Sequence, residues 1–219
     1  MCSQYDILLS NASNDLPVFV GTSRFNKSVA LRHRQPIKGG HMAMTLVDKL
    51  SAYSAALKYE DIPAEAILQA KRFLVDTVGC ALGGFDSTPA QIACQIAGTV
   101  TSTQPATIIG SGQRTSADLA TFANGVMVRF LDFNDGYTST GESGHPSDSI
   151  AAALTVADLL GRSGKELITA TVLAYEVFCR ICDEVDLKPL GFDHSTIGAI
   201  ASTAAAAKLF ALKEDQFAE

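Results

Sequence analysis

The segment STIGAIASTAAAAKLFAL, residues 195–212, restricts the fold more than any other part of the chain. Alanine is a strong helix former, so propensity alone accounts for a helix here. It does not account for the near absence of strongly polar side chains on any face of the run Ala201–Ala207. A helix of small residues lies close to its neighbours but buries little apolar area by itself. It therefore belongs in the middle of a helical bundle.

The flanking sequence supports that reading. TLVDKLSAYSAALKY places Leu46, Leu50, Tyr53 and Leu57 at helical spacing. Pro63 suits a helix's first turn, and the run that follows stops at Gly83–Gly84. Ser87 and Pro89 open a third helix reaching about Gly98. PATIIGSG is short, β-branched and glycine-terminated, and reads as an extended segment. Thr115 or Ser116 caps ADLATFANGVMVRFLDF, Ser147 caps DSIAAALTVADLLG, and Gly161 and Gly164 frame a turn before a helix from Lys165 to Val185. Ser195 caps the alanine-rich helix. The fold class is all-α, a helical bundle. GSGQRT is not a dinucleotide fingerprint, because it lacks a third glycine and a preceding long strand.

Composition shifts near Thr45. Residues 1–43 are basic and turn-rich without a sustained period, and are expected to form a poorly ordered extension to a helical domain over 44–219. LKEDQFAE at the end reads as the first turn of a further helix. That leads to the expectation that the domain is incomplete at its C-terminus, since so short a helix is not stable alone.

With 219 residues and 47% apolar content the chain can bury a real core. Seventeen basic against 23 acidic residues argue against a nucleic-acid surface. No apolar run reaches the roughly eighteen residues a membrane span needs, so no membrane partner is expected. Residues 1–41 carry five Lys/Arg but also Asp6 and Asp15. A cytoplasmic location is therefore expected, with a mitochondrial presequence as the alternative. The five cysteines read as reduced and mostly buried. Cys179 and Cys182 form a C-x-x-C pair without the turn such ligand pairs use, and read as core.

Chemistry concentrates in LDFNDGYTSTGESGHPSD, residues 131–148. This stretch brings Asp132, Asp135, Glu142, His145 and a string of hydroxyls onto a glycine-rich loop. Acids at a helix C-terminus oppose its dipole, which argues for a local purpose. His33 and His41 fall in the extension and read as solvated. His145 and His194 each stand near a helix start, where free N–H groups attract anions. Each can shuttle a proton or simply pack at the helix entrance. Carboxylates, hydroxyls and imidazole together suit proton transfer. No G-x-S-x-G or H-E-x-x-H motif is present, and two histidines far apart make a poor zinc site.

RFLDFNDGY…GESGHPSDSIAAALTVAD resembles the signature of the MmgE/PrpD family, which includes 2-methylcitrate dehydratase and cis-aconitate decarboxylase. RFLVDTVGCALGG, ATIIGSGQRTSADLATFANGV and GFDHSTIGAIASTAAAAKLFAL resemble the same family in the same order, so the resemblance covers roughly Thr45 to Glu219. It implies a large helical domain, with a smaller α+β domain in full-length members. It also implies a dimer, no metal or organic cofactor, and a small tricarboxylate as partner.

The resemblance places catalytic roles on Asp132, His145 and His194. Asp135, Thr138, Ser147 and Ser195 are the expected substrate-binding groups. Where members read DFDDT this sequence has Gly136 after the second acid, so Thr138 or Ser139 would have to supply the hydroxyl. Further lysines and a tyrosine of the family's site lie downstream of the segment that matches. The expected activity is cofactor-independent dehydration of 2-methylcitrate or a related alkylcitrate. The alternatives are decarboxylation of cis-aconitate, or a catalytically inactive truncated fragment or pairing partner of a full-length relative.

Overall fold

A computed structural model describes residues 45–139 and 141–218; the expected N-terminal extension, with His33, His41 and Cys2, lies outside them. Among the described residues there are eight α-helices and two two-stranded ribbons. The all-α expectation holds.

The helices are α1 (Leu46–Ala56), α2 (Ala64–Gly84), α3 (Thr88–Ala97), α4 (Ala117–Phe130), α5 (Ile150–Leu160), α6 (Gly164–Glu184), α7 (His194–Leu209) and α8 (Glu214–Phe217). Their ends follow local chemistry. Thr45 and Asp48 form a capping box on α1, and Ser163 and Glu166 form one on α6. Ser87 accepts from the Ala90 N–H at the start of α3. Gly161 stops α5 at φ 59°, in the left-handed region where glycine is free of Cβ strain. The segment read as extended pairs antiparallel as β1 (Ala106–Thr107) with β2 (Arg114–Thr115).

Two expected caps fall elsewhere. Ser147 lies inside a 3-10 turn, Pro146–Ser149, that precedes α5, and is fully buried. The N-cap of α7 is Asp193, which accepts from the Ser195 N–H, so Ser195 sits in the first turn instead. Asp presents a full carboxylate to the free N–H groups and wins the position.

Two apolar cores meet along α2 and α5. One is built from α1, the first half of α2, α5, α6 and α7, with Leu173, Phe178, Ile197 and Leu209 fully enclosed. The other is built from the second half of α2, α3, α4 and β1, around Ile108, Met127 and Val128. Small residues set the spacing. A Cβ on Gly84 would come within 2.4 Å of the Met127 carbonyl oxygen, so α2 and α4 touch backbone to backbone there.

Between the cores, the buried Asn124 accepts from the Ile109 N–H and donates to the Thr107 carbonyl and the Thr155 hydroxyl. This polar staple leaves its amide satisfied. Cys179 and Cys182 are buried free thiols, and burial pushes Cys182 up to about 12. That places the C-x-x-C pair in the core, as its setting in an apolar helix suggested. No described helix is long and apolar enough to cross a membrane.

The alanine-rich α7 packs against α6 and α5, with Ala201 and Ala205 fully buried. Its opposite side, with Ile200 and Phe210, is exposed, so it is central on one face only. At its last turn Lys208 Nζ donates to the carbonyls of Ser54 (2.8 Å) and Ala55 (2.9 Å), two of the unpaired carbonyls ending α1. Charge-assisted bonds of this kind contribute about 1.5–3 kcal/mol. Lys208→Met is expected to lower stability by about that amount. Hydrogen exchange should accelerate in α1 before the rest of the bundle, and uniform acceleration would contradict this role for Lys208.

Candidate active site

The site is the loop between α4 and α5, laid across the C-terminal half of α6. Helix α4 ends at Phe130 with Leu131 as its C-cap, and Asp132 follows at φ 49°, one of two described non-glycine residues with positive φ. Aspartate is among the few residues that tolerate this conformation. The acid at a helix C-terminus is offset by Arg129, whose Nη1 lies 3.1 Å from Asp132 Oδ1. The same guanidinium donates to the side-chain Oδ1 of Asn134 at 2.7 Å and pairs through Nε with Asp148 at 3.5 Å. The Asn134 amide then donates to Ser147 Oγ and to Asp148 Oδ1.

Beyond Asn134 the chain forms a ribbon, β3 (Tyr137–Thr138) against β4 (Ser143–Gly144). It is tied to α6: Tyr137 and Ser139 both donate to Asp183, and the Glu142 N–H donates to the Cys182 carbonyl. That carbonyl is one of the four that end α6 without an intrahelical partner. Gly141 is required at this crossing, because a Cβ would lie 2.4 Å from the same oxygen.

His145 follows β4. Its Nδ1 lies 2.6 Å from the Asp135 carbonyl oxygen, and its Nε2 lies 4.0 Å from Asp132 Oδ1. His194, the first residue of α7, stands edge-on to it with ring centroids 5.6 Å apart. The His194 ring rests on Gly144, where an added Cβ would come within 2.5 Å. Asp132, His145 and His194, far apart in sequence, therefore form one cluster. Asp132 is its open edge, with a side chain 75% exposed.

The expected substrate-binding residues are placed differently from one another. The Asp135 carboxylate is held on both oxygens, by the Ser147 N–H (3.1 Å) and the Tyr175 hydroxyl (2.8 Å). Ser147 Oγ is enclosed and bonded to Asn134. Thr138 is exposed on β3. Ser195 is exposed and donates to Asp193. It helps line an open depression of about 350 Å³ with Gly191, Phe192, Asp193 and Thr196, beside His194. None of Asp132, His145 and His194 lines that depression. A larger one, about 410 Å³ between α1 and α8, contains none of the expected residues.

Sequence reasoning missed Arg129, Asn134, Asp148 and Tyr175 as parts of this cluster. Arg129 carries a signal, a cation three residues before an acid at a helix end. Tyr175 sits in an apolar helix and carries none. Among the described residues no group of three or more His, Cys, Asp or Glu is placed to hold a metal.

The electrostatics are uneven. Burial pushes the Asp135 and Asp148 carboxyls up, although hydrogen bonds from Ser147 and Tyr175 pull the first back and Arg129 pulls the second. The Ser143 N–H, followed by Lys188, holds Glu142 below the usual range. Glu142 is enclosed, with Lys188 Nζ 3.2 Å from one oxygen and the other oxygen without a hydrogen-bond partner among the described residues. Apolar side chains flank the cluster on both sides: Leu131 and Phe133, the latter 79% exposed, and Leu190 and Phe192.

The fold is thus a helical bundle that brings Asp132 and His145, on the loop before α5, beside His194 at the start of α7. The MmgE/PrpD N-terminal domain family matches residues 48–219, and the chain belongs to the MmgE/PrpD family. It is 33% identical over 176 residues to a 2-methylcitrate dehydratase of Cupriavidus necator, covering 73% of this chain and 35% of that protein. It is 34% identical over 179 residues to the 2-methylcitrate dehydratase-like protein oryR of Aspergillus oryzae, covering 74% and 35%. It is 30% identical over 172 residues to the mitochondrial 2-methylcitrate dehydratase of Yarrowia lipolytica, covering 70% and 32%. The chain thus spans about a third of the length of the curated relatives it matches.

The raised carboxyl of Asp135 has a signed consequence. As pH rises above the ordinary aspartate value of 3.8, the unfolded chain releases this proton first. The folded state then holds more protons, and this group's contribution to stability falls until its folded value is passed. Asp135→Asn removes that contribution while keeping the shape. The melting temperature of wild type relative to Asp135→Asn is expected to decline from acid towards neutral pH. A relative melting temperature that rises over that interval would reverse the sign.

Proposed function

We propose that this chain carries the imidazole and carboxylate half of a cofactor-independent lyase site acting on a tricarboxylate, with dehydration of 2-methylcitrate or a related alkylcitrate as the reaction. The observation that carries the reading is the convergence of His145, His194 and Asp132, with the rings 5.6 Å apart and the carboxylate 4.0 Å from one of them. The chain's likeness to 2-methylcitrate dehydratases supports the substrate class.

Dehydration removes a proton from carbon beside a carboxylate and expels hydroxide, which leaves as water after taking a proton. Two imidazoles on one surface suit those two transfers, one accepting and one donating. Asp132 stabilises whichever imidazolium forms at His145, or holds the departing hydroxyl. Decarboxylation of cis-aconitate is the nearest alternative, because it needs the same carboxylate recognition and one proton delivered to carbon.

A second reading has its own observation. The cluster's acids are Asp132, Asp135, Glu142, Asp148 and Asp193, while Arg129 and Lys188, the cations paired with them, are already engaged. A tricarboxylate needs uncommitted positive charge. On this reading the chain alone is silent and pairs with a full-length relative that supplies it. The apolar rim of Leu131, Phe133, Leu190 and Phe192 favours homodimerisation or other self-association. A cytoplasmic location belongs to the proposal, with a mitochondrial one as the alternative.

Purified chain should be assayed for loss of 2-methylcitrate with growth of conjugated-acid absorbance, and for carbon dioxide release from cis-aconitate. Dehydration that falls by about 10²–10⁴-fold in His145→Ala supports the leading proposal. Carbon dioxide release without dehydration selects the decarboxylase. No turnover of either, restored on mixing with a full-length relative carrying its own His145 equivalent replaced, selects the pairing reading. Sedimentation at rising concentration is expected to show a species heavier than a single chain; a monomer throughout would remove self-association.

A further inference from the structure

Asp135 was expected to touch substrate, yet both of its carboxylate oxygens are committed inside the protein. Its backbone, meanwhile, is what His145 touches. The Asp135 carbonyl oxygen lies 2.6 Å from His145 Nδ1, and the Asp135 Oδ1 accepts from the N–H of Ser147, two residues past that histidine. The side chain and main chain of one residue therefore grip the His145–Ser147 segment from both ends. A third contact comes from outside the loop. The Tyr175 hydroxyl, on α6, donates to Asp135 Oδ2 at 2.8 Å, and the Tyr175 ring is stacked on Phe73 of α2 with centroids 4.6 Å apart.

We infer that Asp135 and Tyr175 are positioning residues that fix His145 in the Nδ1–H tautomer and leave Nε2 as its proton-accepting atom. A carbonyl oxygen is only an acceptor, so the nitrogen beside it must carry the hydrogen. In the neutral ring the lone pair then resides on Nε2, the nitrogen that faces Asp132. Burial favours the neutral form of Asp135, and the Tyr175 hydroxyl and Ser147 N–H oppose this by stabilising the carboxylate. Tyr175 thus acts on His145 at one remove: it holds a carboxylate, the carboxylate holds a backbone, and the backbone carbonyl sets the imidazole. The inference rests on His145 being the proton-transfer group of the proposed site, but its test needs no turnover.

The test is nitrogen-15 NMR of the histidine side chains in the intact chain, at alkaline pH where imidazoles are neutral, with the His145 signals assigned by their loss in His145→Gln. The wild-type ring is expected to show a pyrrole-like Nδ1 and a pyridine-like Nε2. The reverse pattern, or equal populations, overturns the proposal. Tyr175→Phe keeps the stacked ring and deletes one hydrogen bond. It should move the tautomer ratio about fivefold towards Nε2–H, the factor one ordinary hydrogen bond supplies. Asp135→Asn retains an acceptor for Ser147 and should keep the wild-type pattern, whereas Asp135→Ala should lose it. Tyr175→Phe with an unchanged ratio removes the tyrosine from this role and overturns the chain of action. Wild type and Asp135→Asn carry the test if Tyr175→Phe does not fold. Failure of the lyase assay with the expected tautomer present would count against the reaction and not against this arrangement.

Discussion

The loop that carries the site stays in place because α6 offers it polar anchors at the end of an otherwise apolar helix. Asp183 receives two hydroxyls, the Cys182 carbonyl receives a backbone N–H, and Tyr175 reaches a carboxylate at the loop's start. A loop as polar as 131–148 would otherwise lie over hydrophobic surface with its donors unsatisfied, and each unmade bond in a buried setting costs about 1–3 kcal/mol. With α6 as the strut, the loop delivers His145 to within reach of His194, which arrives independently at the start of α7.

Much of the bundle is legible in the sequence because helical period and capping are local properties. Ser87, Thr45 and Gly161 announce helix ends through their own side chains or lack of one. The cap positions of α5 and α7 were read less well. Ahead of α5 the chain takes one turn of 3-10 helix, Pro146–Ser149, with Ser147 inside it, and a proline opening a tight turn looks the same in sequence as one opening an α-helix. At α7 Asp193 and Ser195 are both capping residue types two positions apart, and only the geometry decides between them.

The site was legible in its chemical kinds and not in its wiring. That Asp132, His145 and His194 meet is a property of how α4, α5 and α7 close around α6, and the resemblance to a family supplied it where periodicity was silent. The split between Asp132, left open at the surface, and Asp135, half-buried and doubly bonded, is not visible in a sequence where both are loop aspartates three residues apart. Tyr175 is the sharpest case. Its ring sits in an apolar helix and stacks on Phe73, and only its hydroxyl, one atom, belongs to the site.

Asp132 joins two demands in a single position. Its backbone occupies the left-handed region, and its side chain reaches both Arg129 and His145. A glutamate there would preserve the sign of the charge yet lack aspartate's ease in that conformation, while an asparagine would keep the turn and lose the charge. Similarity scales that rank exchanges by charge alone therefore misjudge this residue: its nearest substitute in contour and its nearest substitute in valence are different amino acids.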